Sequence, residues 1–239
     1  MAKAFLLTTH YSRLTKMTFP IGILGGTFDP LHFGHLRLAQ ELAEGLGLGG
    51  VRFIPAGQPP HRGQPFASPQ QRLEMTRLGI ADNPLFALDE RETFKLTPSY
   101  SVETLLDLRC ELGGVQSLCL FMGADAFLGL TTWHRWRELL GLAHIVVAQR
   151  PGVAGITRAA ATLPAELRDE LNRRLANEPA ALQDAPAGAI LVQPITALDI
   201  SATQIRSDLA AGRSPRYLLP DAVLDYIRTN GLYKDIDGT

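Results

Sequence analysis

The chain has 239 residues, 46% of them apolar and 20% charged, with a formal net charge of −1. That is enough chain for one large α/β domain with a full core, and a nearly balanced charge excludes a general field for nucleic acid or an anionic membrane, so any phosphate binding must be local. Cys110 and Cys119, with no C-x-x-C and no adjacent histidine, read as reduced packing residues of a cytoplasmic protein, and no apolar run reaches the length of a membrane span.

Residues 1–16 carry Lys3, Arg13 and Lys16 without a cleavage pattern, so they read as a flexible extension before a single domain over 17–236. Ile21 to Leu24 is a short apolar run of the buried parallel-strand kind. Gly25-Gly26 is expected to turn the chain without a Cβ in the way, and Asp29-Pro30 is a second turn signal. From Leu31 a helix follows, with Leu36, Leu38, Ala39, Leu42 and Ala43 on one face. His32 and His35, three apart, share the first turn of that helix with its free N–H groups and its positive dipole end. This arrangement suits an anion, above all phosphate. Zinc fits less well, because Asp29 is the only nearby third ligand and zinc helices space their histidines by four.

Gly45 to Gly50 closes the helix and Val51 to Ile54 is a second strand. The Pro/Gly-rich loop from Pro55 to Gly63 lies at a strand C-terminus, where open α/β sheets bind ligands; His61 and Arg62 there are either phosphate contacts or a solvated basic pair. Ser68-Pro69-Gln70-Gln71 is a capping box with proline at the first helical position. Leu73, Met75, Thr76 and Ile80 face the core, and Arg72 reads as a surface charge. Leu85 to Leu88 is a third strand. Ser99-Tyr100-Ser101 precedes a helix over about 102–112, and either serine can be its N-cap. Leu118 to Met122 is a fourth strand, followed by Gly123-Ala124-Asp125, where Asp125 either caps the next helix or meets a ribose. Of the two tryptophans, Trp136 is expected to pack. His144 to Ala148 is a fifth strand, ended by Arg150-Pro151-Gly152. A charged amphipathic helix over 162–177 covers the sheet, and Ile190 to Val192 is a sixth strand. Ser201 with Gln204 repeats the capping-box pattern and brings Thr203 and Arg206 to a second helix N-terminus. A closing helix ends at Gly231. The fold class is therefore α/β: a Rossmann-like, doubly wound parallel sheet with a small C-terminal helical segment.

The string G-G-T-F-D-P-x-H-x-G-H from Gly25 to His35 resembles the H-x-G-H signature of the nucleotidyltransferase superfamily, and in its full length it is most similar to bacterial nicotinate mononucleotide adenylyltransferases. The superfamily's I-S-S-T-x-I-R appears here as Ile200 to Arg206, with Ala202 in place of the second serine. The resemblance spans residues 20–233. It implies transfer of AMP from ATP to nicotinate mononucleotide, giving deamido-NAD and pyrophosphate, with Mg²⁺ accompanying ATP and no direct protein ligands to it. It places Gly25, Gly26, Thr27, Phe28, His32, His35, Gly123, Asp125, Ile200, Ser201, Thr203 and Arg206 around ATP, with His32, His35 and Arg206 catalytic. It places Gly26, Thr27, His61, Arg62, Ser99, Tyr100, Ser101, Trp133 and His134 around the acceptor, Trp133 lying against the pyridine ring; Ser101 replaces the family's threonine and keeps its hydroxyl. No nucleic-acid or membrane partner is implied, and oligomeric state is not legible. The alternatives are a sister enzyme, such as phosphopantetheine adenylyltransferase or a cytidylyltransferase, and a nucleotide-binding regulator without catalysis. The Trp133 segment and Ser99-Tyr100-Ser101 weigh against the first, and the intact His32, His35 and Arg206 against the second.

Overall fold

Apolar runs that do not alternate with polar residues have to be covered on both faces, and this chain covers them with helices. The computed structural model describes residues 19–59, 63–149 and 163–234, so the expectations for residues 1–16, for His61 and Arg62, and for Arg150-Pro151-Gly152 lie outside the described residues. The elements run β1 Ile21–Gly26, α1 Phe33–Gly45, β2 Gly50–Pro55, α2 Pro69–Ile80, β3 Phe86–Leu88, α3 Ser101–Leu112, β4 Leu118–Gly123, α4 Ala124–Leu128, α5 Trp136–Leu142 and β5 His144–Gln149. They continue as α6 Ala165–Arg174, β6 Leu175–Ala176, α7 Ala181–Asp184, β7 Ile190–Pro194, α8 Ala202–Ala210 and α9 Asp221–Thr229.

The strands form one sheet in the order β3-β2-β1-β4-β5-β7-β6, and every pairing is parallel. Alternate side chains of each central strand leave toward opposite faces. Ile23, Ile54, Leu120, Met122, Ile145 and Val147 join α3, α5 and α6 in one apolar layer. Leu24, Phe53, Cys119, Phe121, Val146 and Ala148 join α1 in the other, where Ala39, Leu42 and Ala43 form the buried stripe of that helix. A third cluster, with Met75 of α2, Ile205 of α8 and Val223, Leu224 and Ile227 of α9, seats the C-terminal helices on the domain. Trp136 is buried in the first layer, as expected.

Several boundaries differ from the expected ones. Gly25 and Gly26 do not turn; they are the last residues of β1, and the turn falls after them. The helix expected over 162–177 is described from Ala165 to Arg174, with Leu167 and Leu171 inward. Leu175 then takes an extended conformation and pairs with Ile190, adding a two-residue edge strand too short to leave a pattern.

Candidate active site

β1 and β4 lie side by side, yet the chain leaves β1 toward β2 and leaves β4 toward β5. The crevice outside their C-terminal ends is a topological switch point, where open α/β sheets take ligands. A Cβ on Gly25 or on Gly123 would meet no atom within 4 Å, so the ends of both strands are open to an incoming group. The turn after β1 contains Phe28 at φ 48° and a cis Asp29–Pro30 bond. It is gripped from several sides: the Asp29 carboxylate accepts from Phe66 N (2.8 Å), Ala67 N (3.2 Å) and the Tyr233 hydroxyl (2.6 Å).

His32 is the N-cap of α1 and His35 is its third residue. Their rings stack with centroids 3.8 Å apart, and the edge of Phe28 meets His35 at 5.1 Å. The His32 backbone N donates to His35 Nδ1 (3.3 Å), which leaves the proton of a neutral His35 on Nε2. His32 is buried, and burial pushes its pKa down to about 4, so near neutral pH it is an uncharged imidazole. Its Nδ1 has no hydrogen-bond partner, one of only two such buried side-chain atoms among the described residues, with Thr93 Oγ1. A buried polar atom without a partner costs free energy unless a ligand or water completes it. Gly34 allows this arrangement: a Cβ there would sit 3.0 Å from the His32 ring.

The second motif reaches the same place. Ser201 caps α8, its Oγ accepting from Gln204 N at 3.1 Å. The reciprocal half of the expected capping box does not form, because the Gln204 side chain donates instead to Asp208, one helical turn on. Arg206 Nη1 donates to the Asp29 carbonyl (2.7 Å), Nη2 reaches Thr203 Oγ1 (3.4 Å), and the guanidinium lies 4.6 Å over the Phe66 ring. The Ile200 carbonyl lies 3.6 Å from where a Gly34 Cβ would stand. Two helix N-termini therefore meet, with two imidazoles, two hydroxyls and a guanidinium at the junction, an arrangement suited to a polyphosphate.

On the other side of the crevice the Tyr100 and His134 rings lie 4.5 Å apart, joining the Ser99-Tyr100-Ser101 turn to the Trp133 segment. Trp133 and Tyr100 pack, half-buried, against the first apolar layer. The capping roles open to Ser99, Ser101 and Asp125 are not taken. Tyr100 is the N-cap of α3 and Gly123 that of α4, with no side-chain cap bond at either. Ser99 Oγ instead accepts from Gly57 N (3.1 Å) and Gln58 N (3.4 Å), fixing the loop after β2. The backbone N–H of Trp133 is already spent on Leu130 O (3.0 Å), so Trp133 offers a surface and not a main-chain donor.

Arg72 corrects the reading of it as a surface charge: it is fully buried. A signal was present, since Arg72, Thr76 and Ile80 step by four along the inner stripe of α2. Asp29 and Tyr233 were invisible as a pair because 204 residues separate them. A surface groove of about 600 Å³ lined by Phe33, Leu36, Phe86 and Leu198 contains none of the expected site residues; chemistry, not volume, locates the site.

A doubly wound sheet whose two helix N-termini meet at its switch point suits a nucleotide-binding protein, and the cytidylyltransferase-like family model, which matches residues 23–208, narrows the class to the nucleotidyltransferases. A protein of Dechloromonas aromatica named "Probable nicotinate-nucleotide adenylyltransferase" is 56% identical over 219 residues, covering 92% of this chain and 100% of the relative. A protein of the same name from Halorhodospira halophila is 54% identical, covering 89% and 94%. The chain belongs to the nicotinate-nucleotide adenylyltransferase family. The fold is also that of the Plasmodium falciparum nicotinic acid mononucleotide adenylyltransferase complexed with NaAD, at TM-score 0.65 and 15% identity over 90% of this chain and 97% of that one.

Proposed function

We infer that this chain transfers the adenylyl group of ATP to nicotinate mononucleotide, releasing pyrophosphate and forming deamido-NAD. The observation that carries the chemistry is the meeting of the two helix N-termini through the Arg206–Asp29 contact, with the buried and unpartnered Nδ1 of His32 beside it. An acceptor phosphate oxygen attacks the α-phosphorus of ATP, and the bond to the β-phosphate oxygen breaks, that oxygen keeping the electron pair. A phosphate monoester is already an anionic nucleophile near neutral pH, so the protein's work is positioning and charge stabilisation. His32 and His35 hold ATP phosphate oxygens as charge develops, His32 as a neutral hydrogen-bonding group. Ser201, Thr203 and Arg206 hold the β- and γ-phosphates. Gly25 and Gly123 let the nucleotide approach the strand ends, and Asp125 is free of a capping role for a ribose contact. Trp133 and Tyr100 frame the pyridine ring.

Among the described residues no three His, Cys, Asp or Glu side chains gather as a metal site, and the Asp29 carboxylate is taken by its three donors. Mg²⁺ entering with ATP would neutralise phosphate charge and keep most of its own water. The two cysteines are unpaired, in keeping with a cytoplasmic place of work, and among the described residues no helix is long and apolar enough to cross a membrane.

The test is pyrophosphate release with a panel of acceptor mononucleotides. Nicotinate mononucleotide is expected to be preferred over its amide at least about tenfold in kcat/KM, because a site selective for the acid must face its carboxylate with donors, and these would leave the amide NH₂ unpaired, at a cost of about 1–3 kcal/mol. Equal values would reject the nicotinate preference, and turnover of phosphopantetheine instead would move the chain to a sister activity.

A further inference from the structure

We propose that Arg72 is a positioning residue for adenylyl transfer, setting the spacing between the turn that holds ATP and the loop that holds the acceptor. Its guanidinium is fully buried and gives its hydrogen bonds to backbone carbonyls of three separate segments. Nε donates to Ala67 O (3.2 Å), Nη1 to Thr27 O (2.7 Å) and Nη2 to Gly57 O (2.9 Å). Thr27 follows β1 and Gly57 follows β2, so a single planar group joins the loops at the C-terminal ends of neighbouring strands.

The connection continues in both directions. Beyond Thr27, the Phe28 ring meets the His35 ring edge-on. Beyond Gly57, the peptide N–H groups of Gly57 and Gln58 bond Ser99 Oγ, immediately before the Tyr100 and Ser101 of the acceptor side. Gly57 is packed closely against the segment after β3: a Cβ there would stand 2.1 Å from the Glu92 carbonyl, so only glycine fits at this point of the path. Arg72 touches none of the residues assigned to the phosphates or to the pyridine ring by side chain, so it acts through the two loops. A buried cation whose hydrogen bonds go to carbonyls, with the Asp29 carboxylate near enough to offset its charge, is not needed to fill space, since an apolar chain of similar volume packs as well or better; the planar fork is what three divergent carbonyls require, and a lysine ammonium cannot reproduce it.

The proposal rests on the adenylyltransferase reading, and wild-type turnover of nicotinate mononucleotide is the control that separates a failure of that reading from a failure of this one. Arg72→Lys keeps the charge and loses the fork; Arg72→Met keeps the bulk and loses both. For each variant, the dissociation constants of ATP and of the acceptor are measured separately by calorimetry, and kcat by pyrophosphate release per folded molecule. Arg72→Lys is expected to lower kcat by about tenfold to a hundredfold while each Kd stays within about threefold, because misplacing two bound substrates costs rate and not binding. A lower Tm with kcat per folded molecule unchanged would make Arg72 purely structural and overturn the proposal, as would loss of binding of one substrate at unchanged kcat. Should neither Arg72 variant fold, Ser99→Ala decides: it frees the same loop and leaves the Arg72 guanidinium and its three carbonyls in place. A fall in kcat with both Kd values retained supports the relay, and an unchanged kcat overturns it.

Discussion

At the N-terminal end of the sheet stand His144 and Arg109; at the C-terminal end stand His32 and Arg72. Both histidines are buried, with their pKa values lowered by burial, and both arginines bond backbone carbonyls. At the N-terminal end both ring nitrogens are used: His144 Nε2 pairs with Ala185 O (2.8 Å) and Nδ1 accepts from Ala189 N (3.0 Å). Arg109 ties Leu142 O, Gln116 O and Pro186 O, drawing together the segments that lead into β4, β5 and β7. At the other end His32 Nδ1 has no partner, two helix N-termini converge, and a Cβ on Gly25 would point into open space. The same two residue types thus close one end of the sheet and prepare the other for a ligand. The difference lies in the histidines: both nitrogens of His144 are paired and hold structure, whereas His32 Nδ1 is left unpaired where the two helix starts meet, which is where we propose that phosphate binds.

The sharpest way to break this comparison is to remove one histidine from the site. His35→Ala is expected to lower kcat by on the order of 10²–10³ with little change in Tm, and His32→Ala to behave similarly. Loss of fold, or no loss of rate, would make these histidines the equals of His144.

The second test works on the opposite end and on pH. His32 and His144 both have folded pKa values below the unfolded value of about 6.5, so the stability they contribute is complete above that pH and is lost as the pH falls below it. For His32 the window runs from about 6.5 down to about 4. Protonated His144 would turn an N–H toward the Ala189 N–H. The Tm is expected to fall between pH 7 and pH 4.5, and His144→Gln to flatten part of that slope while costing about 1–3 kcal/mol at neutral pH. Its kcat per folded molecule should equal that of the wild type; a change in kcat would show that the two ends are coupled.

The smallest effect is expected at the rim of the site. Trp133→Ala removes an aromatic surface worth about 0.5–1.5 kcal/mol, so kcat/KM for the acceptor should fall by up to about tenfold, with the Kd of ATP unchanged. Calorimetry with each substrate alone checks this, and weakened ATP binding would mean that Trp133 belongs to the nucleotide side.

The sequence by itself determined the layered α/β architecture, because unbroken apolar runs such as Leu118 to Met122 admit only strands covered on both faces. It also determined the two helix starts proposed here to bind phosphate, because caps, histidine spacing and the Ile200–Arg206 motif are local signals that need no partner to be read. Only the tertiary structure decided that these two starts meet, through Arg206 on the Asp29 carbonyl, and that Tyr233 completes the Asp29 carboxylate. Only it placed Arg72 inside, where two carbonyls from the loops after β1 and β2 and one from the start of its own helix receive it. The reason is physical: a hydrogen-bonding group declares its chemistry in the sequence, but its partner is chosen by which segments the sheet order brings together.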